Sequence, residues 1–416
     1  MRYLQHLIFI LVLIFPLTGY SQSIYSSVGP GDITLPSTVR TAGMGVSGVA
    51  LTDLRQISLI NPALWYKPNL TGMSTKILSG QYKNADGGLT NRLAFDGFTF
   101  HFPVGTSAGV ALGFAPYSNV GYNFRRTSQE IIPGVHSADT LNYSLKTTGS
   151  GGIGGTFLGF GIQFSRRIAF GAAINMLIGE INVDHNMVIS HPTTYSSREV
   201  LRQSNIFGST LILGGTFSQI AQSTDNFGIR VEIPLSLTVN QENKFYTGIS
   251  SAEVVTDAKD GLSWPFQMGV GYSFQLRPQW TTVFETNIWS PGSNLNIFSP
   301  GQNQYTLGNG YELGIGLEYT GDVNSNQWWN RLAYRTGLQW QQYLVESETG
   351  NHPAGMRWLG GIGLPYGQGA NRLDLAVYYG QRSGVKPGDP VEKQIGFQIG
   401  ISVSELWFQG GIRNNY

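Results

Sequence analysis

The sequence contains no cysteine and carries little charge. Without cysteine there is no disulfide, no thiolate zinc site, no cysteine nucleophile and no lipoprotein attachment point. Only 12% of the 416 residues are Asp, Glu, Lys or Arg, which is about half the share found in ordinary soluble domains. The formal net charge is +1, so the composition gives no electrostatic reason to expect nucleic acid as a partner.

Long apolar runs are also missing beyond the first residues. No later segment approaches the roughly 20 consecutive apolar residues that a membrane-spanning helix needs. A weakly charged chain without such helices can still enter lipid as a closed β-barrel, because every backbone N–H and C=O is then paired internally. The 55 glycines, nearly twice the average share of about 7%, are interpreted as residues of twisted strands, bulges and turns.

Residues 1–22 are typical of a signal peptide. Arg2 gives a positive start, residues 7–17 form an apolar run, and small or polar residues follow at 19–22. The run is short for a membrane anchor and is followed by polar sequence, which indicates secretion. A single N-terminal anchor helix is the alternative interpretation.

From residue 73 onward the chain alternates between apolar and polar residues with a period of two. In one such run, Phe98, Phe100 and Phe102 share one face of a predicted strand, with Thr99 and His101 on the other. This pattern is typical of strands with a lipid-facing and a lumen-facing side. A soluble β-sandwich would show it as well, so single strands do not decide the fold.

The connections between the predicted strands are more informative. They are short after most even-numbered strands, as at 103–106 and 166–167, and longer and polar after most odd-numbered ones, as at 127–139, 186–197 and 242–261. Short periplasmic turns that alternate with long outer loops indicate an outer-membrane barrel with an even strand number. The sequence therefore predicts an all-β fold, a 14-stranded antiparallel transmembrane β-barrel over residues 73–416. The predicted strands are 73–83, 92–102, 107–126, 140–165, 168–185, 198–219, 225–241, 262–276, 278–289, 309–320, 329–346, 354–364, 371–382 and 391–403.

Residues 23–72 have few alternating runs and contain two motifs. The first is the small-residue stretch Arg40–Asp53, and the second is an Asn-Pro-Ala box. The residues singled out in these motifs are Gly43, Met44, Gly45, Asn61, Pro62 and Ala63. A glycine-rich run that precedes an Asn-Pro-Ala box, before the first strand of a 14-stranded barrel, resembles the outer-membrane long-chain fatty acid transporters of the FadL/TodX type.

The resemblance extends to the end of the chain. Gly361–Pro365 followed by Asn371–Leu375 is similar to the closing hairpin of Bacteroidetes-type members of that family. Between its two N-terminal motifs the family usually carries acidic and aromatic residues, whereas this chain has Leu54–Ile60. The departure leaves the identity of the cargo open. The resemblance implies that residues 23–72 form a plug inside the barrel.

A physical role for the Asn-Pro-Ala box can be argued separately. Pro62 fixes its own φ and pushes Asn61 out of the α region, and an Asn side chain can satisfy nearby backbone groups in such a turn. Inside a barrel this would lock a plug where unpaired backbone groups are costly. An ordinary turn before a strand is the alternative.

The third predicted strand contains a proline, Pro116, which removes a donor from the ladder and indicates a bulge or a break. In the family, the third strand bends inward and opens the wall sideways, so the resemblance implies a kink and lateral opening here. A simple rim bulge is the alternative. The residues assigned to the kink are Pro116, Tyr117, Asn119 and Gly121.

The sequence shows no catalytic or metal-ligand spacing, and we expect neither an enzyme nor a bound cofactor. The leading hypothesis is a bacterial outer-membrane channel for passive uptake of hydrophobic small molecules, with long-chain fatty acids or aromatic hydrocarbons as cargo. Its surroundings would be outer-membrane lipid and lipopolysaccharide, and the barrel assembly machinery would be a partner. The alternative is an adaptor of a secretion system that binds protein partners and transports nothing hydrophobic. A general porin and an esterase barrel are less favoured.

Overall fold

The computed structural model describes residues 23–83, 89–133, 138–189, 198–220, 224–247, 253–259, 261–299, 305–367, 370–384 and 391–405. The predicted signal peptide, residues 1–22, lies outside this part of the chain. Among the described residues, no helix is both long enough and apolar enough to cross a membrane.

Fourteen antiparallel strands form a closed barrel, as predicted. Each strand pairs with its neighbours in the chain, and the last strand pairs with the first from Lys393–Lys83 to Glu405–Thr71. The strands are β1 (Thr71–Lys83), β2 (Leu89–Val104), β3 (Ala108–Pro133), β4 (Ala138–Gln163), β5 (Ile168–Ile189), β6 (Arg198–Ser218), β7 (Asn226–Thr247), β8 (Gln267–Arg277), β9 (Trp280–Trp289), β10 (Gly310–Tyr319), β11 (Ala333–Gln342), β12 (Ala354–Tyr366), β13 (Asn371–Arg382) and β14 (Glu392–Glu405).

The remaining elements are short. They are the α-helix Val39–Ala42, the 3₁₀ helices Ile24–Ser27, Pro62–Leu64, Leu295–Phe298 and Trp328–Arg331, and the strands Asp32–Ile33, Glu253–Lys259, Tyr305–Leu307 and Val345–Ser347. Glu253–Lys259 extends the barrel sheet by pairing with β7, and Tyr305–Leu307 pairs with Val345–Ser347.

The two ends of the barrel differ in the length of their connections. We call the end that carries the connections after odd-numbered strands the loop end, and the opposite end the turn end. The described parts of two predicted loops, 127–139 and 242–261, are largely strand, because β3 runs on to Pro133 and β7 to Thr247. An antiparallel ladder continues in water without apolar alternation, since its backbone pairing does not depend on lipid. The turn end also has one long connection, residues 320–332, which includes a 3₁₀ helix.

Around the middle of the barrel the outward face is apolar and the inward face is polar. On β5, Phe170, Ile174 and Ile178 are each about half exposed on the outside, while Asn175 between them is fully buried inside. This is the arrangement expected of a barrel wall in lipid.

The polarity of the wall reverses toward the loop end. Beyond Ile178, the outward residues of β5 are Glu180, Asn182 and Asp184, while the inward Ile181 and Val183 are buried. At this height the inner face packs against apolar side chains from the loops, as in the core of a soluble protein. This apolar cluster includes Leu262, Trp264, Leu295 and Phe298.

Candidate functional site inside the barrel

The N-terminal segment, residues 23–70, lies inside the barrel against the inward faces of the strands. The strands approach it so closely that a Cβ atom added to Gly214 would lie 2.1 Å from Oδ1 of Asn61, and one added to Gly337 would lie 2.0 Å from the carbonyl oxygen of Met44. Residues without a side chain allow this approach. The inward glycines that meet the segment in this way are Gly109, Gly161, Gly171, Gly214, Gly228, Gly269, Gly271, Gly314, Gly316, Gly337, Gly361 and Gly400.

The predicted residues Asn61, Pro62 and Ala63 form one buried turn. Nδ2 of Asn61 donates to the carbonyl oxygen of Val49 at 2.6 Å, and its Oδ1 accepts from the backbone N–H of Ala63 at 3.1 Å. Asn61 has φ −117°, in the extended region that a following proline favours. The side chain therefore satisfies backbone groups on two stretches of the segment and holds them together.

Gly43, Met44 and Gly45 form the turn that follows the helix Val39–Ala42. Gly45 has φ +70°, a left-handed conformation that disfavours any residue with a Cβ. The Met44 side chain is fully buried. A Cβ added to Gly314 in β10 would lie 2.3 Å from the carbonyl oxygen of Gly45, so this turn is pressed directly against the wall.

Six charged residues near the turn end form a closed ring of ion pairs, which we call the ionic ring. Arg40 and Asp53 belong to the segment, and the other members to β10, β11 and β13. Round the ring, the N···O distances are Arg40–Asp53 3.3 Å, Asp53–Arg372 2.8 Å, Arg372–Asp374 2.7 Å, Asp374–Arg335 2.6 Å, Arg335–Glu318 2.8 Å and Glu318–Arg40 2.5 Å. Three guanidinium groups balance three carboxylates, which offsets the cost of burying these charges.

The ionic ring keeps Asp53 charged. Burial alone would raise the pKa of its carboxyl group, but the guanidinium groups of Arg372 and Arg40 hold that pKa well below its usual range. The segment is therefore attached to the wall by full charges at physiological pH.

The side chain of Glu285 in β9 binds the backbone of the N-terminal segment. Its carboxylate accepts hydrogen bonds from the N–H groups of Ser47, Gly48 and Val49 at 3.0, 2.9 and 2.9 Å. Successive backbone N–H groups form a concave donor site that suits an anion. The hydroxyl of Ser47 also donates to Glu312 at 3.1 Å, so the small-residue motif is held from two neighbouring strands.

Arg382 fixes the first described residues of the segment at the loop end. Its guanidinium group pairs with Asp32 at 2.8 Å and with Glu392 of β14 at 2.6 Å. It also lies over the rings of Tyr25 and Tyr343, 4.8 and 4.5 Å from their centroids, a cation–π arrangement. The segment is therefore anchored at both ends of the barrel.

Strands β2 and β3 pair over only part of their length. Toward the loop end, the described ladder between them stops at the pair Phe98–Phe114, although both strands continue beyond it. There, Ser118 and Asn119 of β3 pair with the segment's strand Asp32–Ile33. We call this place the β2–β3 interruption. The segment takes the position beside β3 that β2 holds nearer the turn end.

All four residues assigned to the strand-3 kink lie at the β2–β3 interruption. The register of β3 against β4 shifts at Pro116 and leaves Tyr117 without a partner across the ladder. The carbonyl oxygen of Tyr117 accepts from the N–H of Thr34 at 3.0 Å, and that of Gly121 accepts from the N–H of Ser23 at 2.8 Å. The set Pro116, Tyr117, Asn119 and Gly121 therefore lines one edge of the N-terminal segment.

A second irregularity, on β2, was missed from the sequence. The register between β1 and β2 shifts at Lys76, Gly97 has φ +122°, and Asp96 is turned inward. Nζ of Lys76 pairs with Asp96 at 2.7 Å. Both strands that border the interruption are therefore bulged. The Asp-Gly dipeptide inside an aromatic run was the available signal for it.

A cavity of about 130 Å³ lies between the β2–β3 interruption and the segment. Its lining is mixed and includes the charged residues Lys76, Asp96, Glu312 and Arg357 together with Pro116. Nη2 of Arg357 donates to Oε1 of Gln341 at 2.8 Å. The cavity can hold the polar end of a small molecule beside the interrupted wall. Within the residues that the structure covers, no group of three or more His, Asp or Glu side chains is placed to hold a metal ion.

Comparison with solved structures shows the same barrel in proteins of low sequence identity. A Pseudomonas aeruginosa FadL homologue is 11% identical with a TM-score of 0.59, covering 89% of this chain and 98% of its own. The Ralstonia pickettii toluene transporter TbuX is 13% identical with a TM-score of 0.58, covering 89% and 99%. The P. putida toluene transporter TodX is 12% identical with a TM-score of 0.57, covering 90% and 100%. At these identities the likeness establishes the fold alone.

No curated protein matches the chain. The family model described as BamG matches residues 3–412. Because the match spans nearly the whole sequence, this outer-membrane β-barrel belongs to the BamG family.

Proposed function

We propose that the protein is an outer-membrane channel for the passive uptake of hydrophobic small molecules, with residues 23–72 as its plug. The β2–β3 interruption carries this proposal. A continuous ladder between β2 and β3 would seal the wall, whereas here the wall is completed from inside by a separate stretch of chain. The cavity behind it provides a place for cargo next to that point.

In this proposal the cargo enters from the loop end, passes the segment and leaves sideways into the membrane between β2 and β3. Displacing the strand Asp32–Ile33 from β3 would uncover the opening. The cavity lining carries two cations and two carboxylates, with Lys76 paired to Asp96. Such a polar lining favours a cargo with a polar end, such as a long-chain fatty acid, over an aromatic hydrocarbon, which offers these groups no hydrogen bond. Movement would follow the concentration gradient.

The proposal can be tested by fastening the segment to β3. Ile33 and Ser118 are directly opposite each other, and Cα atoms in such antiparallel pairs are about 4.5–5.5 Å apart, within the reach of a disulfide. The natural chain contains no cysteine, so the double variant Ile33→Cys with Ser118→Cys has one defined pair. After oxidation we expect uptake of labelled oleate to fall about tenfold or more, and reduction to restore it.

The control joins two strands that are already paired. Ser74 of β1 and Thr99 of β2 are opposite each other, with 2.7 Å between their hydroxyl oxygens, so Ser74→Cys with Thr99→Cys should oxidise without changing uptake. Parallel measurements with toluene would separate the two cargo classes. Unchanged oleate and toluene uptake in the oxidised Ile33–Ser118 variant would refute the lateral route.

A second function, that of an adaptor, is favoured by how completely the segment fills the middle of the barrel. Twelve inward glycines meet it, and the ionic ring and Glu285 hold it. A wall shaped this closely around its own chain suits a protein whose role is to bind partners. Those partners would be the barrel assembly machinery, which is consistent with the BamG family description, or secretion-system proteins.

Purification from native membranes tests this alternative. Copurification of the barrel with protein partners in fixed stoichiometry would support the adaptor. The oxidised Ile33–Ser118 variant should then bind the same partners as the natural protein. Bound lipid-like molecules without protein partners would support the channel. The lipid and lipopolysaccharide that surround the apolar wall should be present in both cases.

A further inference from the structure

A second cavity, distinct from the one behind the β2–β3 interruption, opens at the turn end of the barrel. Its volume is about 230 Å³, far larger than one water molecule occupies. We call it the turn-end mouth. Its rim is formed by the segment, by the long connection 320–332 and by other strand ends, and includes Leu54, Arg55, Thr224, Gln275, Val323 and Arg331.

The lining of the turn-end mouth is positively charged. Three of its guanidinium groups, those of Arg40, Arg335 and Arg372, belong to the ionic ring, where carboxylates balance them. Arg55 and Arg331 line the cavity in addition. The carboxylates in the lining are Asp53 and Glu318, so cationic groups outnumber anionic ones and the mouth complements an anion.

One ring member has hydrogen-bonding capacity left over. Arg335 is buried, and it uses Nε for Glu318 and Nη1 for Asp374, while its Nη2 has no partner. This nitrogen faces Gly363, where an added Cβ would come within 2.5 Å of it. Both residues line the mouth. The Arg335 side chain is closed off from solvent, so it acts on an anion in the mouth through its charge and not through a direct hydrogen bond.

The rim also carries an apolar side chain at the surface. Leu54 is 61% exposed, although most of the segment on either side of it is buried. On the connection 320–332, Trp328 and Trp329 are exposed as well, and tryptophan in that position is typical of the membrane surface. The mouth therefore combines cationic groups and an exposed leucine at the level where a protein on that side of the membrane can reach it.

From this combination we propose that the turn-end mouth is a docking site for an acidic segment of a partner protein, which places a carboxylate beside Arg55 and Arg331 and an apolar side chain against Leu54. Guanidinium groups bind carboxylates through charge-assisted hydrogen bonds. Arginine is enriched among the residues that contribute most to protein interfaces. The site lies at the opposite end of the barrel from the loops, and it is independent of the proposed uptake route.

The test uses the full-length protein in detergent micelles and a fluorescent heptapeptide that contains three glutamates and one leucine. We expect binding to this peptide, weakening as salt rises from about 50 to 500 mM because the contacts are electrostatic. A peptide with glutamine in place of glutamate should bind at least tenfold more weakly. The variant Arg331→Gln should weaken binding about fivefold, and Arg331→Gln with Leu54→Ser further.

The matched control is Arg167→Gln, which removes an exposed arginine from another connection of the turn end, outside the mouth. It should bind the peptide like the natural protein. Equal binding of the glutamate and glutamine peptides, or equal loss in Arg167→Gln and Arg331→Gln, would overturn the proposal. Displacement of the peptide by inorganic phosphate or phosphatidylglycerol vesicles at matched charge would also overturn it, in favour of a phosphate group.

Discussion

At the scale of single residues, the most informative feature is the inward glycines. In the sequence they were interpreted through turns, bulges and strand twist. Gly214 and Gly337 have ordinary backbone conformations, since neither has a positive φ, and what requires them is the N-terminal segment lying within contact distance. A sequence pattern cannot distinguish this use of glycine from the others, because the partner atoms come from a distant part of the chain.

Substitution of an inward glycine should therefore destabilise the protein through contact with the segment, although the backbone conformation at that position would tolerate a Cβ atom. A methyl group at Gly214 would lie 2.1 Å from Oδ1 of Asn61 and must displace the Asn-Pro-Ala turn. We expect Gly214→Ala to lower the free energy of unfolding by about 1–3 kcal/mol, the usual cost of overpacking, as measured by thermal unfolding in detergent.

The control for this prediction is Gly360→Ala on β12. A Cβ at this position has no heavy atom nearer than 3.8 Å, so the unfolding temperature should stay the same or rise slightly. If Gly214→Ala were as stable as Gly360→Ala, the close approach of segment and wall would be wrong.

At the scale of elements, the sequence predicted that residues 23–72 differ from the barrel strands and that the Asn-Pro-Ala box forms a turn, but it did not predict the ion pairs that attach this segment to the wall. The Asn-Pro-Ala box and the small-residue run were recognised because their residues are adjacent in the chain. The ionic ring was missed, because Asp53 and Arg372 are 319 positions apart and each alone resembles an isolated surface charge. Periodicity reports on neighbours along a strand and contains no information about partners across a lumen.

The ionic ring leads to a prediction about pH. The pKa of Asp53 is lower in the folded protein than its ordinary value of about 3.9, so the unfolded chain binds more protons at acidic pH. The stabilisation by Asp53 is therefore complete above about pH 5 and is lost as the pH falls toward the folded-state pKa. Asp53→Asn should cost about 3–5 kcal/mol at pH 7, as for other broken buried ion pairs.

The measurement compares the unfolding temperatures of the natural protein and Asp53→Asn between pH 7 and pH 3. The difference should be constant from pH 7 to pH 5 and become smaller at pH 3. A difference that grew on acidification would show that Asp53 is not held by the guanidinium groups. Gln275→Leu, in the same cavity lining but uncharged, provides a variant whose stability should not depend on pH in this range.

At the scale of the whole molecule, the strand count and the barrel closure were predictable, because one simple alternation recurs over most of the chain. The residues at which the strands end were not predictable. Of the predicted loop 127–139, residues 127–133 and 138–139 are strand, and so are 242–247 and 253–259 of the predicted loop 242–261, since above the lipid a ladder needs only backbone pairing. The change of environment is instead visible in which face is apolar, and β5 places that change between Ile178 and Glu180.

This boundary can be measured with two lysines on the outward face of the same strand. Ile174 is 55% exposed within the apolar part of the wall, and Ile174→Lys should destabilise the barrel in lipid vesicles by about 2–4 kcal/mol, as a cation near the bilayer midplane does. Asn182 lies on the same face beyond Glu180, and Asn182→Lys should change the stability by less than about 0.5 kcal/mol because water surrounds it.

In equilibrium unfolding by denaturant, equal costs for the two lysines would mean that lipid reaches the projecting part of β5 as well. The reversal of polarity would then need another explanation, since Ile181 and Val183 would face inward opposite an outer face that lipid also covers. Unequal costs in the expected order would establish that the protein is built as a membrane barrel up to Ile178 and as a water-exposed, apolar-cored extension above it.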